Sequence, residues 1–88
     1  MSWAYRFDDR ALKELRKLGK QAQTRIIAYL DERVAGDGDP RRFGKGLKAD
    51  LSGLWRYRVG DYRMLCQIKD GELLVLVVAV GHRRDIYR

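Results

Sequence analysis

Three arginines on a short alternating stretch are the side chains in this sequence best suited to chemistry. The segment LWRYRVGDYR places Arg56, Arg58 and Arg63 around Gly60 and Asp61. A glycine in the first position of a two-residue loop suits a type II′ hairpin turn. With that turn, Val59 faces Tyr62, Arg58 faces Arg63, Tyr57 faces Met64 and Arg56 faces Leu65. Directly opposed residues share a sheet face. Arg56, Arg58 and Arg63 therefore collect on one face, while Trp55, Tyr57, Val59, Tyr62, Met64 and Cys66 line the other. Two opposed arginines repel each other unless water or a bound anion screens them. Three arginines without a nearby acid read as a phosphate site.

The closing segment GHRRDIYR supplies further candidates. Tyr87 could stack on a base or exchange a proton with a reacting oxygen. A phenol with a reference pKa of about 10 needs neighbouring cations to act as a base, and Arg83, Arg84 and Arg88 provide them. The alternative for Tyr87 is packing in a C-terminal segment. His82, the single imidazole, could serve as acid or base near neutral pH. Trp55 and Tyr57 point away from the arginines and read as core. Tyr62, beside the turn, is open between stacking and packing.

This set favours RNA over DNA as substrate. The RNA 2′-hydroxyl can be the nucleophile, so a protein need only orient it and stabilise charge on the phosphate. With one cysteine and one histidine there is no zinc-type cluster. The acids are scattered among basic residues, which argues against a two-metal nuclease. No glycine-rich phosphate loop or nucleophile elbow occurs. Neither a metal nor a cofactor is expected.

The charge balance agrees with this placement. Nineteen Lys and Arg against twelve Asp and Glu give a net +7. Residues 41–63 hold seven basic side chains against two acidic, a net +5, and residues 81–88 hold three against one, a net +2. The rest of the chain is balanced. Arg41, Arg42, Lys45, Lys48, Arg84 and Arg88 thus extend the arginine face as candidate RNA-backbone contacts; the plainer reading is a solubilising surface. Eighty-eight residues leave room for one core, so a single domain over 1–88 is expected and a separate cofactor domain is excluded. The start MSWAYRFDD lacks the layout of a secretion signal. The longest apolar run, 73–80, falls far short of the roughly 20 residues a membrane helix needs. A cytoplasmic protein is expected.

The elements that must carry these residues follow from periodicity. Trp3, Tyr5 and Phe7 alternate as in a strand. Asp8 or Asp9 can cap a helix bearing Ala11, Leu12, Leu15 and Leu18, with Gly19 to end it. A second helix is predicted from about Lys20 to Val34, turning Ala22, Ile26, Ile27, Leu30 and Val34 inward, to make an antiparallel hairpin with the first. GDGDP ends the pair. Residues 41–52 lack a period and read as a loop, pinned to the core by Leu47 and Leu51. Two strands around Gly60-Asp61 follow. LLVLVVAV then reads as a central strand, apolar on both faces, covered on one side by the helices and on the other by further chain or a partner.

The chain also resembles a known family. FDDRALKELRKLGK, GLKADLSGLWRYRVGDYRMLCQI and VVAVGHRRDIYR together resemble toxins of the RelE/ParE superfamily of type II toxin–antitoxin modules, over nearly the whole length. The resemblance implies an α+β fold in which an N-terminal helical hairpin packs on a small, mainly antiparallel twisted β-sheet. Its RelE-like branch implies a ribosome-dependent endoribonuclease that enters the A site and cuts the exposed message. By position, Arg56 and Arg58 stand where that branch commonly has lysines. Arg63, Arg83 and Tyr87 match its arginine of the G-x-R stretch, its arginine after the last strand and its C-terminal tyrosine. The resemblance implies that the first four orient and neutralise the scissile phosphate and that the tyrosine stacks or helps proton transfer. Arginine in place of lysine leaves the base open, which raises Tyr87 and His82. A cognate antitoxin is implied as partner, alongside the ribosome and mRNA. RYRVGDYR and HRRDIYR also resemble ParE-like members, which poison DNA gyrase, so gyrase is the alternative target. A basic binding module without chemistry is the third possibility.

Overall fold

The computed structural model describes residues 2–83. Arg84, Tyr87 and Arg88 lie outside the described residues. Strand β1 (Ala4–Phe7) leads into helix α1 (Asp9–Arg16). The Asp8 carboxylate accepts the Ala11 N–H at 2.8 Å, which satisfies one of the otherwise orphaned first-turn donors. Gly19 does not end this helix. Helix α1 stops at Arg16, and Gly19, at an ordinary φ of −63°, precedes α2 (Lys20–Tyr29). The left-handed freedom of glycine is not used, because the Gln23 side chain closes the connection by donating to the Leu18 carbonyl at 2.7 Å.

Helix α2 continues into a wider π turn over Leu30–Val34, closed by Ala35 N–H to Leu30 O at 2.9 Å. Ala22, Ile26, Leu30 and Val34 are buried at intervals of four. Four residues overshoot a 3.6-residue turn, so an ordinary helix would rotate Val34 off the stripe. The wider turn counters that drift. Ile27, read as inward, is only half-buried and packs at the edge of the core.

Strands β2 (Lys45–Gly46), β3 (Trp55–Val59), β4 (Tyr62–Lys69) and β5 (Leu74–His82) complete a five-stranded sheet ordered β1-β5-β4-β3-β2. The β1–β5 pair is parallel; the rest are antiparallel. The β3–β4 register is the one the turn predicts, with Arg58 opposite Arg63 and Arg56 opposite Leu65. Gly60 has φ +59° whereas Asp61 does not enter the positive-φ region, as a type II′ turn requires. The helices cover one face of the sheet and enclose the main core, which includes Tyr57, Met64, Cys66, Val75 and Val77.

Two features depart from the simple alternation. Residues 41–52 are not all loop: β2 pairs with β3, Lys45 opposite Arg56 and Gly46 opposite Trp55. Leu47 packs with Leu54 and Val78 against Leu65 and Ala79, on the sheet face away from the helices. The chain itself thus covers part of the second apolar face of β5. Second, β5 carries a bulge. Leu65 pairs with Ala79 and Cys66 with Val77, which leaves Val78 as an extra residue. Side-chain parity reverses there, so Val75, Val77 and Val80 all enter the helix-side core while Ala79 faces the other way.

At this bulge the Glu14 carboxylate of α1 accepts the Val80 N–H at 3.0 Å. A charged acceptor makes such a bond stronger than a neutral one, and removing it strands a partly buried donor. Glu14→Ala is expected to destabilise the protein by about 1–3 kcal/mol. Thermal unfolding checks this, at about 4–8 °C per kcal/mol for a chain of this size.

Candidate functional site

The cationic site is built on the edge of β3, where β2 ends. Lys45, Arg56 and Arg58 line a cleft of about 350 Å³ together with Tyr29, Phe43 and Gly44. Lys45 and Arg56 are cross-strand partners, so their side chains share the outer face. Arg58 lies two residues along the same strand and is exposed. Helix α2 contributes Tyr29 at its last position, from below the sheet edge.

Two aromatic donors, the buried Tyr57 and the half-buried Trp55, hold the wall of this cleft. The Tyr57 hydroxyl donates to the Pro40 carbonyl at 2.6 Å, and Trp55 Nε1–H donates to the Phe43 carbonyl at 2.8 Å. Both aromatics point into the helix-side core, as their alternation predicts, and from there they tie the 40–44 segment to β3. Gly44 is required in that wall. Its φ is +82°, and a Cβ there would collide with the Arg56 carbonyl and with the Trp55 and Tyr57 rings. Burial pushes the Tyr29 and Tyr57 phenols above their ordinary range, so both remain protonated hydroxyls near neutral pH. Burial likewise raises the Cys66 thiol, which keeps it a core residue and not a nucleophile.

The predicted site residues separate into groups. Arg56, Arg58 and Arg63 share a face as expected, but Arg63 is not presented like Arg58. It is 8% exposed, and its Nη1 donates to the Gly60 carbonyl at 2.9 Å and the Tyr62 carbonyl at 3.0 Å. The turn carbonyls offset the repulsion expected between Arg58 and Arg63. Arg83 is exposed, and its N–H donates to Asp61 O at 2.8 Å, which sets it beside the same turn. His82 is elsewhere. It pairs with Tyr62, and the two rings meet edge to face at 6.0 Å. Tyr62 is half-buried and packs against the helix-side core. The Val78 bulge turns His82 to that side, away from Arg58, so an acid or base role for His82 at the arginine face loses its geometric support.

Of the wider basic set, Lys45 lines the cleft and Lys48 is exposed beside it in sequence. Arg41 forms a two-pronged pair with Asp70 at 2.9 and 2.8 Å, which holds the Asp70 carboxyl below its ordinary range. Arg42 donates through Nε to the Asp39 carbonyl and lies over the Phe43 ring. Arg84, Arg88 and Tyr87 fall outside the described residues. Sequence reasoning missed Tyr29, Phe43 and Gly44. Phe43 had a usable signal, an aromatic residue interleaved with cations in RRFGKG; Tyr29 had none, because its position reads only as part of a helix.

A helical hairpin on a small sheet, with a cationic, aromatic-walled cleft at the sheet edge, defines a compact α+β protein. A family profile described as "ParE toxin of type II toxin-antitoxin system, parDE" matches residues 5–87. The chain is 39% identical over 90 residues to Toxin RelG of Mycobacterium tuberculosis (strain ATCC 25618 / H37Rv), covering all of this chain and 99% of that protein. Among solved structures it is similar to the toxin–antitoxin complex RelBE2 from M. tuberculosis, with a TM-score of 0.80 and 29% identity over 94% of this chain and 100% of that one. The isolated Escherichia coli RelE toxin gives a TM-score of 0.73 at 29% identity, over 91% of this chain and 83% of that one. This chain belongs to the RelE/ParE toxin superfamily of type II toxin–antitoxin systems.

Proposed function

We propose that this toxin is a ribosome-dependent endoribonuclease that cuts message in the A site by attack of the RNA 2′-hydroxyl. The observation that carries the reading is the convergence of Lys45, Arg56 and Arg58 in one cleft at the sheet edge, with Arg83 and the hairpin turn at the far end of β3. Such an array suits a strand of phosphates, and fixed cations stabilise the charge that builds on a phosphorus under attack. The 2′-oxygen bonds to the adjacent phosphorus, the bond to the 5′-oxygen breaks, and the products are a 2′,3′-cyclic phosphate and a 5′-hydroxyl. One proton leaves the 2′-hydroxyl and one joins the 5′-oxygen. Arginine stays charged above pH 12 and cannot accept the first. Lys45 carries the one amine among the described cleft residues, and Tyr87, which lies outside the described residues, is the other candidate for this proton transfer. A cognate antitoxin is the proposed partner, since related RelE-type toxins are found in complex with theirs.

Gyrase poisoning is the second reading, favoured by the match of a ParE family profile to residues 5–87. Expression of the toxin alone, with mapping of cellular mRNA ends, separates the two. The expected result is transcripts cut within codons, bearing cyclic-phosphate ends, with cutting lost in Arg83→Ala and reduced in Tyr87→Phe. Growth arrest with intact transcripts and broken DNA would instead establish the gyrase reading. Expression without arrest would leave only a binding module.

A further inference from the structure

We infer that the aromatic end of the β3-edge cleft is a subsite for one unpaired nucleobase, whose own phosphate lies against Lys45 and Arg58. This rests on the RNA reading of the cleft. The cleft has two chemically distinct ends. Lys45, Arg56 and Arg58 form the cationic one; Tyr29 and Phe43 form the other. Its volume of about 350 Å³ falls at the lower end of the range for small-molecule sites, roughly 300–1,000 Å³. A nucleotide carries the same division between an apolar planar group and an anion.

The aromatic end is built and held. The Phe43 backbone is fixed by the Trp55 indole, and Gly44 admits no side chain between Phe43 and β3. Tyr29 leans on the buried Tyr57 ring, with centroids 5.8 Å apart. The Arg33 guanidinium spans the two walls, 5.6 Å from the Tyr29 centroid and 5.1 Å from that of Phe43. A base entering from the cationic end meets the Tyr29 and Phe43 rings, surfaces on which bases stack. Stacking tolerates any base, so the subsite selects for an unpaired nucleotide and not for a sequence.

Binding of mononucleotides to the purified full chain tests this. Adenosine 5′-monophosphate and ribose 5-phosphate share the anion and differ in the base. Heteronuclear NMR titration is expected to show the nucleotide binding at least about tenfold more tightly, with shifts at Phe43, Gly44 and Lys45. Phe43→Leu keeps the wall apolar but removes the ring; it should erase the difference while ribose 5-phosphate binding persists. Arg58→Ala should weaken both ligands. Equal affinity for the two ligands, shifts elsewhere, no binding of the nucleotide at millimolar concentration, or an unchanged preference in Phe43→Leu would each overturn the subsite. A toxin that cuts transcripts but shows no base preference loses the subsite and keeps its function. One that prefers the nucleotide while transcripts stay whole does the reverse.

Discussion

Arg58→Ala is expected to slow message cleavage about 10²-fold, equivalent to roughly 3 kcal/mol of lost transition-state stabilisation, while thermal stability stays within about 0.5 kcal/mol of wild type. Arg58 combines three properties: it is exposed, it lines the cleft, and it takes no part in any ion pair among the described residues. Its charge is therefore available to a phosphate and contributes little to the fold. Arg63, directly opposite, is the internal contrast. Its guanidinium braces the hairpin turn from a nearly buried position, so Arg63→Ala should cost about 1–3 kcal/mol in stability through stranded carbonyls. Arg58→Lys restores the charge without the planar fork and should recover only part of the rate. Single-turnover cleavage on programmed ribosomes, beside thermal melts, reads both quantities. Wild-type cutting by Arg58→Ala would remove the cleft from the mechanism.

The second large effect is expected at Gly44. Alanine there meets a positive φ, worth about 1–3 kcal/mol of strain, and also a backbone collision with β3 that no rotamer change can relieve. Gly53 provides the control: its φ is +92°, yet nothing lies near the position a Cβ would occupy. Gly53→Ala should show the strain alone. Gly44→Ala should melt lower than Gly53→Ala and should also lose cleavage, because relief of the collision displaces Phe43 and Lys45 from the cleft. Equal melting temperatures for the two variants would show that the 43–45 segment yields freely, which contradicts a preformed wall.

Much of this molecule is legible one element at a time. The Asp8 cap, the helical hairpin, the Gly60-Asp61 turn and the β3–β4 register all follow from local rules, because a two-residue turn determines which residues face each other and a period-2 strand then determines their sides. The gathering of Arg56, Arg58 and Arg63 on one face was readable for that reason. The superfamily too is legible in the sequence, in stretches from the first helix, the hairpin and the last strand, and its profile matches residues 5–87.

Three decisions depended on contacts between segments far apart in the chain. The Val78 bulge reverses the parity of β5, and a strand apolar on both faces carries no pattern to reveal it; this sends His82 to Tyr62 and not to the arginines. The short strand β2 exists because its pairing with β3 and the Trp55 and Tyr57 hydrogen bonds hold it there, not because two residues have a propensity of their own. The cleft joins the end of α2 to the edge of β3, so Tyr29 and Arg58 come to line it together only once helix and sheet have packed. Local chemistry chose the cations and the face they share. Long-range packing chose which of them remain open to a ligand, and with what walls.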